Sequence, residues 1–404
     1  MNRDLRTALT GMAIMGLALG IGRFVLTPLL PLMQADSGLS LVAGGWLAST
    51  NLVGYLLGAL LCALWPFPVR ASLRIGAVAV SVATLGMGLT ANLDMWLLWR
   101  FVAGVASAAL LVHGVAWSMA RLRAAGRPVL EHLVFAGVGI GIVTSGLLVA
   151  ALRPWGVTSA ALWSGFGIVT AGLFAWLWRR LGENGDAAPT PSGSSQRAEP
   201  SGPAWTLLLM YGLLGFAYMI PAAFLPLIAG QQLQLPTLRE WFWPIFGLAT
   251  AASTLALRWL PARVDNRSVL AACSVSMAAG MVLCIIGHSV VWLVVATLLL
   301  GFACLPVVMY TMREARLLAP HNHMRLVAAL TATFGVGQAA GPVFAAWLAA
   351  HTGGFDTPLA VGAGVSVVAM ACMLVRRPGR GISTKRDADS TDRLTPGRGN
   401  RQFE

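Results

Sequence analysis

Twelve runs of about 20 apolar residues follow one another along this 404-residue chain, and that succession constrains the fold more than any single motif. A hydrocarbon layer about 30 Å thick is crossed by about 20 helical residues at a rise of about 1.5 Å each. In lipid every backbone N–H and C=O needs an internal partner, so runs of this length read as helices. The predicted spans are 8–30, 42–65, 71–92, 95–118, 130–152, 158–180, 204–229, 241–260, 268–287, 290–312, 325–350 and 357–376. The expected fold class is an all-α membrane protein with twelve transmembrane helices. The tightest connections fall near Asn92–Asp94 and His288–Ser289. Composition agrees: 57% of residues are hydrophobic and 11% charged, against about 25% charged in a soluble domain. A chain this apolar cannot clothe a globular surface, which sets aside a soluble enzyme, a disordered protein and a nucleic-acid-binding domain.

The net charge of +13 comes from 27 arginines and one lysine, Lys385, against 15 acids. The basic residues stand singly or in small groups between the apolar runs. If the N-terminus is cytoplasmic, 24 of the 28 fall on the cytoplasmic side. Only Arg153 and Arg239 fall outside, and Arg23 and Arg100 lie within spans. Such a bias orients multi-pass proteins. It predicts a protein of the cytoplasmic (inner) membrane with both termini inside. Arg3 and Arg6 precede the first run as in a signal peptide. That run is too long for one and ends in Thr-Pro-Leu-Leu-Pro, without a small-residue cleavage site, so it reads as an uncleaved first span.

Residues 182–203 are rich in Gly, Pro and Ser and divide the spans six and six, as a flexible cytoplasmic linker would. Residues 377–404 are polar and read as a disordered cytoplasmic tail. The expected organisation is thus an N-terminal six-helix bundle (1–181), the linker, a C-terminal six-helix bundle (204–376) and the tail. The halves also repeat. Leu19-Gly20 and Leu30-Pro31-Leu32 match Leu214-Gly215 and Leu225-Pro226-Leu227 at an offset of 195. Trp46 pairs with Trp241 and Pro66 with Pro261 at the same offset. Trp96-Leu97 pairs with Trp292-Leu293 at 196, Gly104 with Gly301 at 197, and Val138-Gly139 with Val336-Gly337 at 198. Two parallel halves meeting at a midplane cleft is the layout of transporters that rock about a central site.

With that layout the chain resembles the major facilitator superfamily over about residues 5–376. Gly20-Ile-Gly-Arg23-Phe24, running on to Thr27-Pro-Leu-Leu-Pro-Leu-Met33, is similar to the first span of its YbfB/YjiJ group. Gly45-Trp-Leu-Ala-Ser and Asn51-Leu-Val-Gly-Tyr55-Leu-Leu-Gly58 are similar too. The resemblance implies two six-helix bundles, a central cavity lined by the first and fourth spans, and secondary transport of a small solute coupled to protons. The superfamily's fourth-span pattern, Arg followed by small residues at four-residue spacing, is met by Arg100, Gly104 and Ala108. Its loop pattern after the second span keeps Gly58, but Cys62 stands where an Asp is expected and Trp65-Pro-Phe-Pro68 replaces the basic run, leaving Arg70. Asp265, before Arg267, offers a version of that latch in the second half. The fifth span carries Gly137, Gly139, Gly141 and Gly146 without the Gly-Pro of antiporters; Gly341-Pro342 occurs in the eleventh.

Arg23 and Arg100 carry most information about a site. A charge at mid-bilayer costs about 2.5–3.5 kcal/mol on an insertion scale and normally faces a cavity or a partner. No acid lies deep in a span to neutralise either one. Two uncompensated cations favour an anionic substrate such as a carboxylate, which Arg binds bidentately. The other reading has each guanidinium bonding backbone carbonyls opened by nearby Gly and Pro. Gly104 and Ser107 share the Arg100 face and suit close packing as well as a cavity wall. Asn51, Tyr55, Tyr218 and Gln338 complete the substrate-binding candidates; by the repeat, Tyr218 occupies the Arg23 position. Candidates for coupling are His113, in the fourth span, and Glu131, at the start of the fifth, where an acid also suits the helix dipole. Gly58, Gly104, Ala108 and Asp265 are the candidates for gating and packing. Trp241 and Trp243 read as an interfacial belt, and Arg313-Glu314 as an interfacial pair.

There is no phosphate-binding loop, no His-Glu-x-x-His and no Gly-x-Ser-x-Gly. The five cysteines lie singly in apolar runs. The expectation is a non-enzyme without cofactor or metal, a small-molecule substrate, membrane lipid as surroundings and no nucleic acid; a monomer satisfies the pattern. An efflux antiporter for a drug or metabolite fits the same residues. So does a non-transporting sensor or scaffold with this fold, which would have a filled cleft.

Overall fold

The computed structural model describes residues 3–65, 67–182, 204–233, 238–259, 264–319 and 323–374. The expected tail, and the linker apart from Gly182, lie outside them. The regular elements among the described residues are all helical. In chain order they are α1 (Arg3–Met15), α2 (Leu26–Ser37), α3 (Leu41–Leu64), α4 (Val69–Leu89), α5 (Leu93–Ala124), α6 (Glu131–Leu152), α7 (Ser159–Gly182), α8 (Ala204–Leu233), α9 (Phe242–Ala256), α10 (Asn266–Ile286), α11 (Val290–Leu318), α12 (His323–Thr352) and α13 (Asp356–Leu374). Eleven stretches of the described chain are long and apolar enough to cross a membrane, α1 and α2 together forming the first, Arg3–Ser37. The twelfth, in eighth place, is α9 between short 3-10 turns at Arg239–Trp241 and Leu257–Trp259.

The first span is longer than the predicted 8–30. Pro28 falls in the first turn of α2, where its missing N–H costs no intrahelical bond. The helix therefore continues to Ser37 and stops at Gly38, whose φ of 64° suits a left-handed cap donating to Met33 O. The short connections are fixed by caps. Ser40 Oγ accepts from Ala43 N at 3.1 Å and starts α3. Asn92 Oδ1 accepts from Met95 N at 2.8 Å and starts α5, so the connection from α4 needs no longer loop. Twelve antiparallel passes put the connections at 38–40, 90–92, 287–289 and 353–355 at one end, the far end. The helix ends at Gly182 and Ala204 lie at the other, the linker end.

The helix contacts repeat as the sequence does. In the first half α3 packs on α5, α4 on α5 and α7, and α1 on α6. In the second, α9 packs on α11, α10 on α11 and α13, and α8 on α12. The match reaches single atoms: a Cβ on Gly104 would overlap the Asn51 carbonyl oxygen, and one on Gly301 would overlap that of Phe246. Both helix pairs thus close to backbone contact at equivalent positions, as small residues allow in lipid. Gly58 likewise fits under the Val105 carbonyl and against Ala108, so Gly58, Gly104 and Ala108 pack α3 onto α5. The halves meet where α3 packs on α12, α6 on α9 and α2 on α8. The outward faces stay apolar, with Ile75, Ile168, Val291 and Leu374 exposed as lipid contacts.

Gly104→Leu is expected to lower stability by about 1–3 kcal/mol or more, because the new side chain has only backbone to displace. Loss of the monodisperse peak in fluorescence size-exclusion chromatography would report it.

Candidate functional site

The backbone of the first span sets the geometry at the centre. Residues Gly16–Ile21 are π-helical, with Gly22 N donating to Leu17 O at 2.9 Å and Phe24 N to Leu19 O at 3.0 Å. Residues 22–25 then turn without regular helix before α2 begins. A break of this kind opens carbonyls in the middle of a membrane span, where they need donors. Two side chains supply them. Arg100 Nη2 donates to Arg23 O at 2.8 Å, and its Nη1 lies 3.4 Å from Gly22 O. Asn51 Nδ2 donates to Arg100 O at 2.9 Å and to Gly22 O at 3.2 Å. Arg100 Nε reaches Leu47 O at 3.5 Å. Asn51 and Arg100 meet here because α3 and α5 touch backbone to backbone at Gly104.

The structure thereby separates the two arginines. Arg100 takes the backbone reading: it is 2% exposed and its donors face carbonyls. Arg23, in the break itself, is 8% exposed and turns its guanidinium toward the second half. Its Nη2 lies 3.8 Å from Met219 Sδ on α8, and its Nε has no hydrogen-bond partner. The guanidinium carbon stands 5.0 Å from the ring centres of both Phe24 and Tyr55. Rings attract the cation without neutralising it. Eight acids occur among the described residues, and all sit near helix ends. No ion pair to Arg23 exists among the described residues.

Around this cation the second half contributes aromatic surface. Tyr211 stacks on Phe334 at 4.1 Å between ring centres. Tyr218 is buried and accepts a hydrogen bond from Cys304 Sγ at 3.1 Å. Gln338 is buried one helical turn beyond Phe334 on α12. Tyr55 therefore flanks Arg23, Tyr218 and Gln338 are buried in the second half, and Asn51 supports the break. All five cysteines are free.

The other candidates point elsewhere. His113 Nδ1 lies 3.0 Å from Ser72 Oγ on α4 and 3.1 Å from Ala109 O, bonds made within the first half. Glu131 is held by Arg123 at 2.7 Å, at the linker end. Asp265 is the N-cap of α10, accepting from Ser268 N at 3.2 Å, so it is no latch. Its neighbours instead grip Glu314: Arg267 Nε at 3.0 Å and Asn266 Nδ2 at 3.1 Å. Glu314 thus pairs across α10 and α11, and the expected Arg313–Glu314 pair gives way to Arg313 over the Tyr310 ring. Trp241 is exposed as a belt residue would be, but Trp243 is fully buried, tilted against Phe24 at 6.1 Å and stacked on Phe246 at 5.2 Å.

A family model described as "Uncharacterised MFS-type transporter YbfB" matches residues 15–374. The chain belongs to this family of transporters. "Uncharacterized MFS-type transporter Ent638_1421" of Enterobacter sp. (strain 638) is 28% identical over 194 residues, a match spanning 46% of this chain and 47% of that protein. Among solved structures, a mutant form of the nucleoside transporter NupG superposes with a TM-score of 0.74 at 15% identity, covering 91% of this chain and 98% of NupG. The human organic anion transporter MFSD10 gives 0.64 at 15%, covering 92% and 100%. A bacterial homologue of the human lysosomal transporter Spinster gives 0.66 at 15%, covering 92% and 97%. These likenesses show the fold of a major facilitator protein.

For a YbfB-type chain one further cluster was missing from the sequence reading. Glu240, 2% exposed at the far end, is ion-paired with Arg153 of the first half and with Arg239 at 2.9 Å. Nearer mid-span, Thr27 Oγ1 donates to Ala222 O at 2.9 Å, joining α2 to α8. The signal lay in the charge distribution: the two arginines on the sparsely charged side converge on the one acid adjacent to either. The Arg153–Glu240 pair joins the halves at the far end.

Arg100→Ala is expected to cost about 1–3 kcal/mol by stranding buried carbonyls, read as a lower Tm in the absence of any ligand. Glu240→Gln should loosen the far end. A Thr27→Cys probe is expected to react several-fold faster with a membrane-impermeant thiol reagent in that variant than in its parent.

Proposed function

We propose that the chain is a secondary active transporter that moves a small organic anion across the cytoplasmic membrane by alternating access. The observation that carries this reading is Arg23. It is a buried cation in a broken span, at the meeting of the two halves, with an Nε lacking any hydrogen-bond partner and no acid paired to it. A charge left so at mid-membrane is costly, and a carboxylate arriving in the cleft would supply both the missing charge and two acceptors. The flat surfaces of Tyr55, Tyr211 and Phe334 suit an organic body behind that carboxylate. Fold neighbours handle nucleosides in one case and organic anions in another. At 15% identity the fold does not choose between them, whereas Arg23 favours the anion.

The linker end is assigned to the cytoplasm, because among the described residues Arg70, Arg74, Arg121, Arg123, Arg127, Arg267, Arg313 and Arg316 stand toward it, against Arg153 and Arg239 at the far end. Without a phosphate-binding loop the chain relies on a gradient, and the proton gradient is the one proposed from the superfamily. Both termini are then cytoplasmic, and the two six-helix halves are the bodies that rock.

The test is thermal shift of the purified protein with carboxylates from acetate to benzoate, their amides, and alkylammonium ions. A ligand at about 100 times its Kd stabilises by about 2.7 kcal/mol. Carboxylates are expected to raise the Tm, and Arg23→Gln to abolish the rise while leaving the ligand-free Tm unchanged or higher, since it removes an uncompensated charge. Stabilisation by amides or cations alone, retained in Arg23→Gln, would overturn the anion reading.

A further inference from the structure

A groove on the outer face of the first half lies away from the central cleft. Ala71, Arg74, Ile75, Val78, Val82 and Trp178 line it, with Ala79 and Val102 at its floor, and it encloses about 640 Å³. Ile75, Val78 and Val82 are exposed apolar side chains of a membrane span, so the groove opens to lipid. From Arg74 to Val82 it follows about 12 Å of helix, close to the depth of one leaflet, which is half of about 30 Å. Its wall is apolar throughout except at the linker end. There the Arg74 guanidinium carbon stands 4.0 Å from the ring centre of Trp178, and Arg74 Nε is buried without a hydrogen-bond partner. Arg70 stands one turn earlier on the same face of α4. Among the described residues no acid pairs with Arg74.

We propose that this groove holds one acyl chain of an anionic phospholipid from the linker-side leaflet, with the phosphate on Arg74. The apolar length matches a chain, and the single cationic end matches a headgroup at headgroup depth. Trp178 fits the same picture, since an amphipathic ring beside an arginine is favoured at the membrane interface. Basic pockets between spans take anionic headgroups for these reasons. The site is independent of Arg23 and of the transported solute. Its effect is to tie α4 to α7 through a lipid where an acid of the chain itself would otherwise have answered the arginine.

The experiment compares the Tm of detergent-purified protein after addition of dioleoyl-phosphatidylglycerol, dioleoyl-phosphatidylcholine, or inorganic phosphate, with native mass spectrometry counting retained lipids. Phosphatidylglycerol is expected to raise the Tm by several degrees and to leave one retained adduct. Phosphatidylcholine and phosphate should do neither. Arg74→Gln should lose both effects. Ala79→Phe, which fills the groove and keeps the charge, should lose both too, and Arg74→Lys should keep part of the shift. Equal shifts with the two lipids, a shift reproduced by phosphate alone, or a full shift surviving both Arg74→Gln and Ala79→Phe would overturn the proposal. If Arg74→Gln fails to fold, Ala79→Phe decides.

Discussion

Two backbone carbonyls, those of Gly22 and Arg23, set the terms for the centre of this molecule. A span interrupted in hydrocarbon must find donors for the carbonyls it opens. Here the donors come from α5 and α3, through Arg100 and Asn51. They can reach only because Gly104 lets those helices touch. The close helix contact, the buried arginine and the break are therefore one device, in which each part is explained by the others. Its product is Arg23, held in the break with its own guanidinium facing the opposite half.

The internal repeat shows how local the device is. α8 stands where α1 and α2 stand in the first half, yet it runs unbroken from Ala204 to Leu233 despite Pro221 and Pro226. Pro226 leaves the Ala222 carbonyl without its helical donor, and Thr27 of the first half answers it at 2.9 Å; the positions matching Asn51 and Arg100 carry Phe246 and Thr297, and the position matching Arg23 carries Tyr218. The second half keeps the same backbone contact, Gly301 on Phe246, and fills the space with aromatic surface. Two halves of one plan have thus divided the labour: one presents charge and the other flat apolar walls.

Much of this was legible in the sequence because membrane helices obey a length rule and a charge rule that need no tertiary information. The succession of membrane helices and the burial of Arg23 and Arg100 follow from those rules. Where sequence reasoning stopped, side-chain direction decided. Arg100 and Arg23 look alike as buried cations, and only the break in the first span tells which one is answered by backbone. His113 shares a helix with Arg100, but its bond to Ser72 shows that it faces α4. Asp265 lies two residues before Arg267, yet a residue just before a helix is placed to cap it, and the longer-range Glu314 takes the arginine instead. Trp243 sits two residues from the exposed Trp241 and on the opposite side of its helix, so one meets the surface and the other the partner half.

The Glu240 cluster has an uneven arrangement. Of its two arginines, Arg239 is its neighbour in sequence and moves with it, whereas Arg153 belongs to the other half. Breaking a buried ion pair usually strands a charge and costs about 3–5 kcal/mol. Here, if the halves part at this end, the carboxylate keeps a cation at 2.9 Å and is never left alone. The fastening is thus asymmetric, one acid held by a cation from each half. A latch built from one acid between two arginines of a single half would hold nothing, and one built from a lone pair across the halves would open only at greater cost.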